Sequence, residues 1–573
     1  MKFSLCLLAI LVASIAVAQN NAVPLIVQPL SPDTHIAGGV GFTLTVHGTG
    51  FVSGSVVNWN GSPRATTFIS GIKLQAAITA TDVTKTGTAA ITVTSPAPGG
   101  GTSNIIYFAV HKSEATVALA RRDHLLTANG GVGGLVTGDF NNDGRVDIVV
   151  GEANNNLWQI QALLGNGNAT FQNPITTTVT IPPNELVTGD FNNDGKLDVL
   201  VMDSNGDAQV CFGDGAGGFS PTPVFYVTPN SEWAAVGDFN GDGKLDIVTS
   251  GEDGGTPFAD VYLGNGDGTF TQSAQFLLVY SQGWPAVGDF NGDGKLDFAV
   301  PDQGGATVDV FLGNGDGTFQ PFVAYHTADA GSSAAVADVN GDGKLDIVTS
   351  GVSVLLGNGD GTFRSAGGTV VDGDGYNIPL LADLNNDGKL DIVVVGWNSI
   401  ATTVNVLLGN GDGTFQSPVV LDSGDWNYRA QSGFGDFNND GLIDLVDVNY
   451  DSLGGGIPAA PQFSVFLQGT LNISPTLMNF GTVKKGTTSA PQTATLTNTG
   501  TAAIPIPSLS LTGTNPLDFA LTTTCGTSLA AGSSCSITLT MTPNKKATLS
   551  ATLKAVYSGV GSPQYIELTG VGN

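Results

Sequence analysis

Basic residues are scarce in this chain. Lys and Arg number 20 against 49 Asp and Glu, a formal net charge of −29 over 573 residues. Nucleic acid and anionic membranes need basic patches, so neither is expected as a partner. Histidine is equally sparse. His35, His47, His111, His124 and His326 are scattered, with no pair at zinc spacing. There is no G-x-S-x-G elbow and no phosphate loop, which leaves little support for catalysis. After the first twenty residues there is no amphipathic helical pattern and no apolar run long enough to span a bilayer. Glycine, in contrast, is abundant at 80 residues. With Thr and Val it favours short strands joined by tight turns.

Cysteine is also rare, at four. Cys525 and Cys535 flank a short Gly/Ser/Ala-rich stretch and are expected to pair in an oxidising compartment. Cys211 stands where equivalent positions carry Tyr262 or Phe311, so it reads as a small buried hydrophobe. Residues 1–18 read as a secretory signal: Lys2, an apolar run from Leu5 to Val12, then Ala16-Val17-Ala18 as the small-residue cleavage site. The expected location is secreted or extracytoplasmic, at a cell surface or in a periplasm, with no transmembrane segment.

What the chain does have is one nine-residue pattern, D-x-N-x-D-G-x-x-D, seven times over. Its first aspartates are 51, 48, 51, 49, 45 and 53 residues apart. The oxygen-bearing positions 1, 3, 5 and 9 are Asp139, Asn141, Asp143 and Asp147 in the first copy, then Asp190, Asn192, Asp194 and Asp198. They continue as Asp238, Asn240, Asp242 and Asp246, followed by Asp289, Asn291, Asp293 and Asp297. The last three copies hold Asp338, Asn340, Asp342 and Asp346; Asp383, Asn385, Asp387 and Asp391; and Asp436, Asn438, Asp440 and Asp444. Three aspartates in each of seven motifs make 21 of the 49 acidic residues, so the acidity is largely the motif's.

Oxygen donors at alternate positions, with Gly at position 6, match the start of an EF-hand calcium loop. An EF-hand continues to a Glu at position 12 and a helix. Here position 12 is Val149, Val248 or Ala299, inside alternating β-branched runs, so the loop leads into a strand. A turn of Asp and Asn bonded only to its own backbone is the simpler alternative. Against it, three carboxylates in nine residues repel by on the order of 1 kcal/mol per pair even in a watery setting. Oxygen-only donors suit Ca²⁺ and not Zn²⁺. About seven structural calcium sites are therefore expected.

A period near fifty with several strand-like runs per unit points to an all-β, seven-bladed β-propeller over 113–468, one four-stranded blade per repeat. In the third unit the expected strands are 233–237, 245–249, 260–263 and 275–279. The stretch Gly264-Asn265-Gly266-Asp267-Gly268-Thr269-Phe270 forms a hairpin turn with a core Phe, repeated at Gly313, Gly357 and Gly409 and degraded at Gly165 and Gly213. These residues resemble the FG-GAP/VCBS repeat family, which includes integrin α heads. The resemblance implies calcium between the first two strands and extracellular adhesion or ligand binding. Asn at position 3, where integrin loops often carry Asp, removes one charge per site.

The seventh repeat lacks an outer strand after 463–467. Residues 115–120 are expected to supply it and close the ring. Flanking segments read as β-sandwiches. In 22–110, Gly48-Thr49-Gly50-Phe51, Val57-Asn58-Trp59-Asn60-Gly61 and Phe108 resemble the IPT/TIG immunoglobulin-like family. In 469–573, Leu471-Asn472-Ile473-Ser474-Pro475, Asn479-Phe480-Gly481-Thr482-Val483 and Ala494 to Gly500 resemble the ASPM–SPD-2–Hydin (choice-of-anchor) family, a spacer or attachment module.

Strand alternation puts both kinds of turn on one face of the ring. Trp158, Trp233, Trp284, Trp397 and Trp426, with Tyr376 and Tyr428, then fall on the opposite face. They serve either as ligand-binding candidates or as plugs between blades. The expected function is non-catalytic: adhesion, or binding of an extracellular protein or glycan. A lectin-like carbohydrate-binding module is the alternative, and a polysaccharide lyase or hydrolase a more distant one.

Overall fold

The computed structural model describes residues 23–573 apart from 33, 37, 86, 98–99, 112–118, 126–130, 155–156, 228, 232, 280–282, 303, 329–330, 370, 372–377, 386, 398–401, 425–430, 439–441, 450–461, 469–470, 475–476, 499–503, 507, 531–532 and 558–563. The segment read as a secretory signal lies outside the described residues. The described chain is strands and turns, with one 3-10 turn at Pro516–Asp518. No helix among the described residues is long and apolar enough to cross a membrane.

Each repeat is a four-stranded antiparallel blade, except that in blade 2 the outer strand is split into Phe219–Pro221 and Phe225–Tyr226. In blade 3 the strands are Trp233–Gly237, Asp246–Asp253, Thr256–Gly264 and Phe270–Leu277. The outer strand starts five residues earlier than the alternation suggested. Gly266 and Gly268 both sit at positive φ, so the turn is tight enough to pair Phe270 directly with Gly264. The innermost strands are Gly131–Gly138, Glu185–Gly189, Trp233–Gly237, Ala286–Gly288, Ala334–Ala337, Leu380–Ala382 and Ser432–Gly435. Each neighbours the next in order, and the seventh neighbours the first, so the ring is closed.

Closure uses the strand exchange that the missing outer strand called for. Leu119–Leu125 pairs antiparallel with Gln462–Gln468, with Leu119 opposite Gln468 and Leu125 opposite Gln462. Of the expected segment 115–120, Leu119 and Ala120 pair as expected and 115–118 lie outside the described residues; the pairing continues to Leu125. Blade 7 is thus completed by residues that precede blade 1.

The seams between blades are apolar and aromatic. The Phe at motif position 2 of one blade meets, edge to face, the Phe of the glycine-rich turn in the next. The pairs are Phe140–Phe219 at 5.7 Å, Phe191–Phe270 at 6.0 Å, Phe239–Phe319 at 5.5 Å, Phe290–Phe363 at 5.4 Å and Phe437–Phe171 at 6.1 Å between ring centroids. Such pairs contribute about 0.5–1.5 kcal/mol each beyond their burial. Between blades 5 and 6, Val339 and Phe415 pack into one cluster instead. Cys211 is buried in the blade 1–2 seam with its thiol pushed up to about 12, chiefly by burial.

Residues 23–111 form two sheets around Leu44, Val57, Trp59, Leu74, Ile91 and Phe108. This sandwich rests on the acidic turns. Leu25 joins the blade 2–3 cluster, and a cleft of about 440 Å³ separates Gly50–Val52 and Ile72 from Asp238, Asp242 and Lys295. The C-terminal unit is a second two-sheet sandwich around Leu496, Ile537, Leu553 and Ile566, with Cys525 and Cys535 joined as a disulfide.

Candidate functional site

Two sites lie at opposite ends of the ring. At the acidic turns, the peptide after Asp238 folds back so that its donors point at the side chains. Oδ1 of Asp238 accepts the N–H of Asp242 at 3.1 Å and Oδ2 that of Gly243 at 2.9 Å. Oδ1 of Asn240 accepts from the same Asp242 N–H at 2.8 Å, and Oδ1 of Asp242 accepts from Lys244 N at 3.0 Å. Positive φ at Gly243 and at its counterparts Gly144, Gly195, Gly294, Gly343 and Gly388 explains why position 6 is glycine. The same bonds recur around Asp139, Asp190, Asp289, Asp338 and Asp383. Asp436 and Asn438 are buried in blade 7, where Asp440 lies outside the described residues.

Position 9 does something that the sequence did not disclose. The Asp246 carboxylate accepts Phe239 N–H at 2.8 Å and Gly264 N–H at 2.8 Å, tying the acidic turn to the glycine-rich turn. Asp147, Asp198, Asp297, Asp346 and Asp391 do the same with Gly165, Gly213, Gly313, Gly357 and Gly409. Asp444 accepts from Phe437 N–H. A Cβ at Gly264 would run into the Leu245 carbonyl oxygen. That is the physical reason this turn opens on glycine.

The oxygen-only donor set at positions 1, 3 and 5 has the chemistry a hard cation accepts. Burial first, then the charges of Asp238 and Asp242, push the Asp246 carboxyl up to about 7. Asp147 and Asp198 are raised to about 7 and about 8, chiefly by burial, with Asp139 and Asp190 adding repulsion. The turns thus concentrate negative charge that an ion would relieve. Their oxygens are meanwhile engaged with backbone N–H groups. Lys244 and its counterparts reach Asp242 and equivalent aspartates at 3.2–3.8 Å, as does Arg145 with Asp143 at 3.3 Å. Among the described residues no three acidic, His or Cys side chains close around one point.

The second site is the opposite end of the central channel. Its cavity of about 450 Å³ is walled by innermost-strand residues from all seven blades. The residue five before each motif, at or near the start of the innermost strand, is Gly134, Glu185, Trp233, Trp284, Ser333, Ile378 and Gln431 in turn, and of these Glu185, Trp284, Ile378 and Gln431 line the cavity. Trp233 and Trp284 lie with ring centroids 6.1 Å apart, tilted by 30°. Gln431 Oε1 accepts Leu135 N–H at 2.9 Å and Leu186 N–H at 3.2 Å, reaching over Gly134, where a Cβ would meet that oxygen at 2.6 Å. Glu185 Oε1 accepts Ala234 N–H at 3.2 Å.

The expected aromatic face is therefore divided. Trp233 and Trp284 meet at the mouth. Trp158 packs with the blade 1–2 core, a filling role. Trp397 ends the second strand of blade 6, and Tyr376, Trp426 and Tyr428 lie outside the described residues. Glu185 and Gln431 were missed. The signal available for them was their fixed offset before each motif.

A HYDIN/CFA65/VesB-like Ig-like domain matches residues 469–571. Among solved structures, the ASH/PapD-like domain of human CEP192 is similar at 14% identity, covering 18% of this chain and 85% of that one, with a TM-score of 0.15. A protein from Lactobacillus plantarum is similar at 14% identity over 59% of this chain and 96% of its own, TM-score 0.36. An auxiliary nutrient binding protein from Bacteroides ovatus is similar at 11% identity over 77% and 97%, TM-score 0.29. No curated protein matches the chain. The FG-GAP-like repeat model matches 139–201, 190–249, 238–300, 289–349, 349–394 and 383–446, together more than half of the 573 residues, and the protein belongs to the FG-GAP-like repeat family.

Proposed function

We propose that this is an extracytoplasmic, non-catalytic ligand-binding propeller, secreted or held at a cell surface, that acts in adhesion or in capture of an extracellular protein or glycan. The carrying observation is the division of labour between the two ends of the ring. One end repeats the same turn and is partly covered by the N-terminal sandwich, which we take for an IPT/TIG module. The other end is an open mouth, where the position five before each motif carries six kinds of residue in seven blades. Calcium is proposed at the acidic turns, held by motif positions 1, 3 and 5. Position 9 braces the loop from behind and adds its charge. Asn at position 3 gives low charge per site, which suits the high calcium levels outside cells.

The Trp233–Trp284 pair gives the carbohydrate-binding reading its specific support, because indole faces pack against apolar faces of other molecules. A glycan and peptide array probed with the full chain, with calcium and with chelator, tests the proposal. Binding without product release is expected. Release of cleaved saccharide would instead favour a lyase or hydrolase.

A further inference from the structure

The N-terminal sandwich does not cover the acidic turns evenly. At motif position 6 of blade 2, a Cβ on Gly195 would meet Val23 Cγ1 at 3.0 Å and the Thr102 carbonyl oxygen at 3.7 Å. At the same position of blade 4, a Cβ on Gly294 would meet Ser70 Cβ at 3.5 Å. Between them the blade 3 turn, with Asp238 and Asp242, faces Gly50–Val52, Gly71 and Ile72 across the cleft. In blades 5 and 6 the equivalent Gly343 and Gly388 have nothing within 4 Å of that point. The sandwich spans turns 2 to 4 and leaves turns 5 and 6 open.

Its seat is built from the motif itself. Leu25 is buried in one cluster with Phe191 and Leu245, and it belongs to that cluster, not to the sandwich core. Phe191 follows Asp190 at position 2, and its N–H is held by Asp198 at 2.9 Å. Leu245 stands at position 8, between Asp242 and Asp246. The residues that receive Leu25 are thus flanked by the carboxylates of turns 2 and 3. Every sandwich residue lining the cleft is uncharged, and Phe51 and Ile72 are large and apolar. An apolar body set over clustered carboxylates displaces water from them. That costs free energy while their charge is uncompensated, and far less once a cation neutralises it. The lysine of each turn does not separate covered from open, since Lys244 and Lys295 have counterparts in Lys344 and Lys389.

Resting on the calcium reading above, we propose that turns 2 to 4 form a cation-dependent docking site for the N-terminal sandwich. Ions in these three turns and the docked sandwich stabilise each other, because a coupling between two binding events acts equally in both directions. Turns 5 and 6 carry the same motif outside this coupling. The chain then holds two classes of cation site, distinguished by what lies over them and not by their donors.

The test is calorimetric titration of the full chain with calcium, together with small-angle X-ray scattering in calcium and in chelator. About three sites should bind at least about fivefold more tightly than the rest. Chelator should raise the radius of gyration by about 2 Å or more. Leu25→Ser removes the anchor without touching the sandwich core. It should expand the particle even in calcium and bring the tight sites to the affinity of the others. Asp242→Asn should also expand the particle in calcium, whereas the equivalent Asp342→Asn should not. These variants are read in calcium, so loss of the propeller in chelator cannot imitate the result. A single class of sites in the wild type, tight sites that survive Leu25→Ser, or equal scattering from the two aspartate variants would each overturn the proposal. A chain that binds no calcium would sink this proposal and the calcium reading together. Calcium binding with none of these differences would sink the docking alone.

Discussion

The two ends of the propeller obey opposite rules. At the acidic end six turns repeat one arrangement among the described residues, and their aspartates are answered by the turn's own backbone or by the glycine-rich turn beside it. At the mouth, the seven positions five before each motif carry Gly, Glu, Trp, Trp, Ser, Ile and Gln, and Glu185 and Gln431 accept backbone N–H groups of other blades. Uniformity marks the part that must hold a shape. Variety marks the part free to recognise something.

The sharpest way to break this contrast is to remove a brace. Asp246→Ala strands the buried N–H groups of Phe239 and Gly264. At about 1–3 kcal/mol for each buried unsatisfied group, the expected loss is roughly 2–6 kcal/mol, read as a lowered urea midpoint. Trp233→Ser at the mouth should move that midpoint far less. If it moves it more, the mouth is scaffold and the contrast fails. A second, smaller effect concerns the ions. In excess chelator the melting temperature should fall, and it should rise again in proportion to the logarithm of free calcium. An unchanged melt would leave the turns as self-sufficient hydrogen-bonded loops.

The third prediction sets blade 4 against blade 1. In blade 1 the buried Glu152 receives Nε2 of Gln159 and of Gln161. At the corresponding places blade 4 has Asp302 and Asp309, and neither carboxyl oxygen of Asp309 has a hydrogen-bond partner. Burial, then the Asp302 charge, pushes Asp309 up to about 7. A carboxyl raised in the folded state stabilises most below its unfolded value near 3.8, and that contribution is lost as pH climbs through about 7. Asp309→Asn should therefore melt several degrees above wild type at pH 8 and at about the same temperature at pH 4. A difference independent of pH would refute this. The smallest effect belongs to Lys244→Ala, which removes a half-exposed ion pair to Asp242 and should cost under about 1 kcal/mol.

Much of this architecture could be read in the chain because the repeat is audible in single residues. Asp at fixed steps gave seven blades. The missing strand after 467 demanded a donor, and Leu119–Leu125 supplies it. The partnership of the two turns was harder to see. Phe239 and Phe319 are far apart in sequence and meet only because one blade leans on the next. Asp246 looked like a ligand because its spacing from Asp238 is that of a ligand. Its bond to Gly264 depends on a strand register that no local pattern encodes. Glu185 was invisible for another reason. The offset before the motif that it shares with Gln431 has no chemical pattern of its own, and only the ring brings it to the Ala234 N–H of the next blade.

The borrowed outer strand of blade 7 has a consequence in time as well as in space. As the chain emerges from its beginning, Leu119–Leu125 is made early and its mate, Gln462–Gln468, more than three hundred residues later. During that interval both ends of the unfinished ring carry bare strand edges, open to pairing with a neighbouring chain. Maturation is therefore a race between one long-range closure, slow for a contact of such separation, and intermolecular capture. A helper that shields Leu119–Leu125 until the last blade arrives would favour the closed ring.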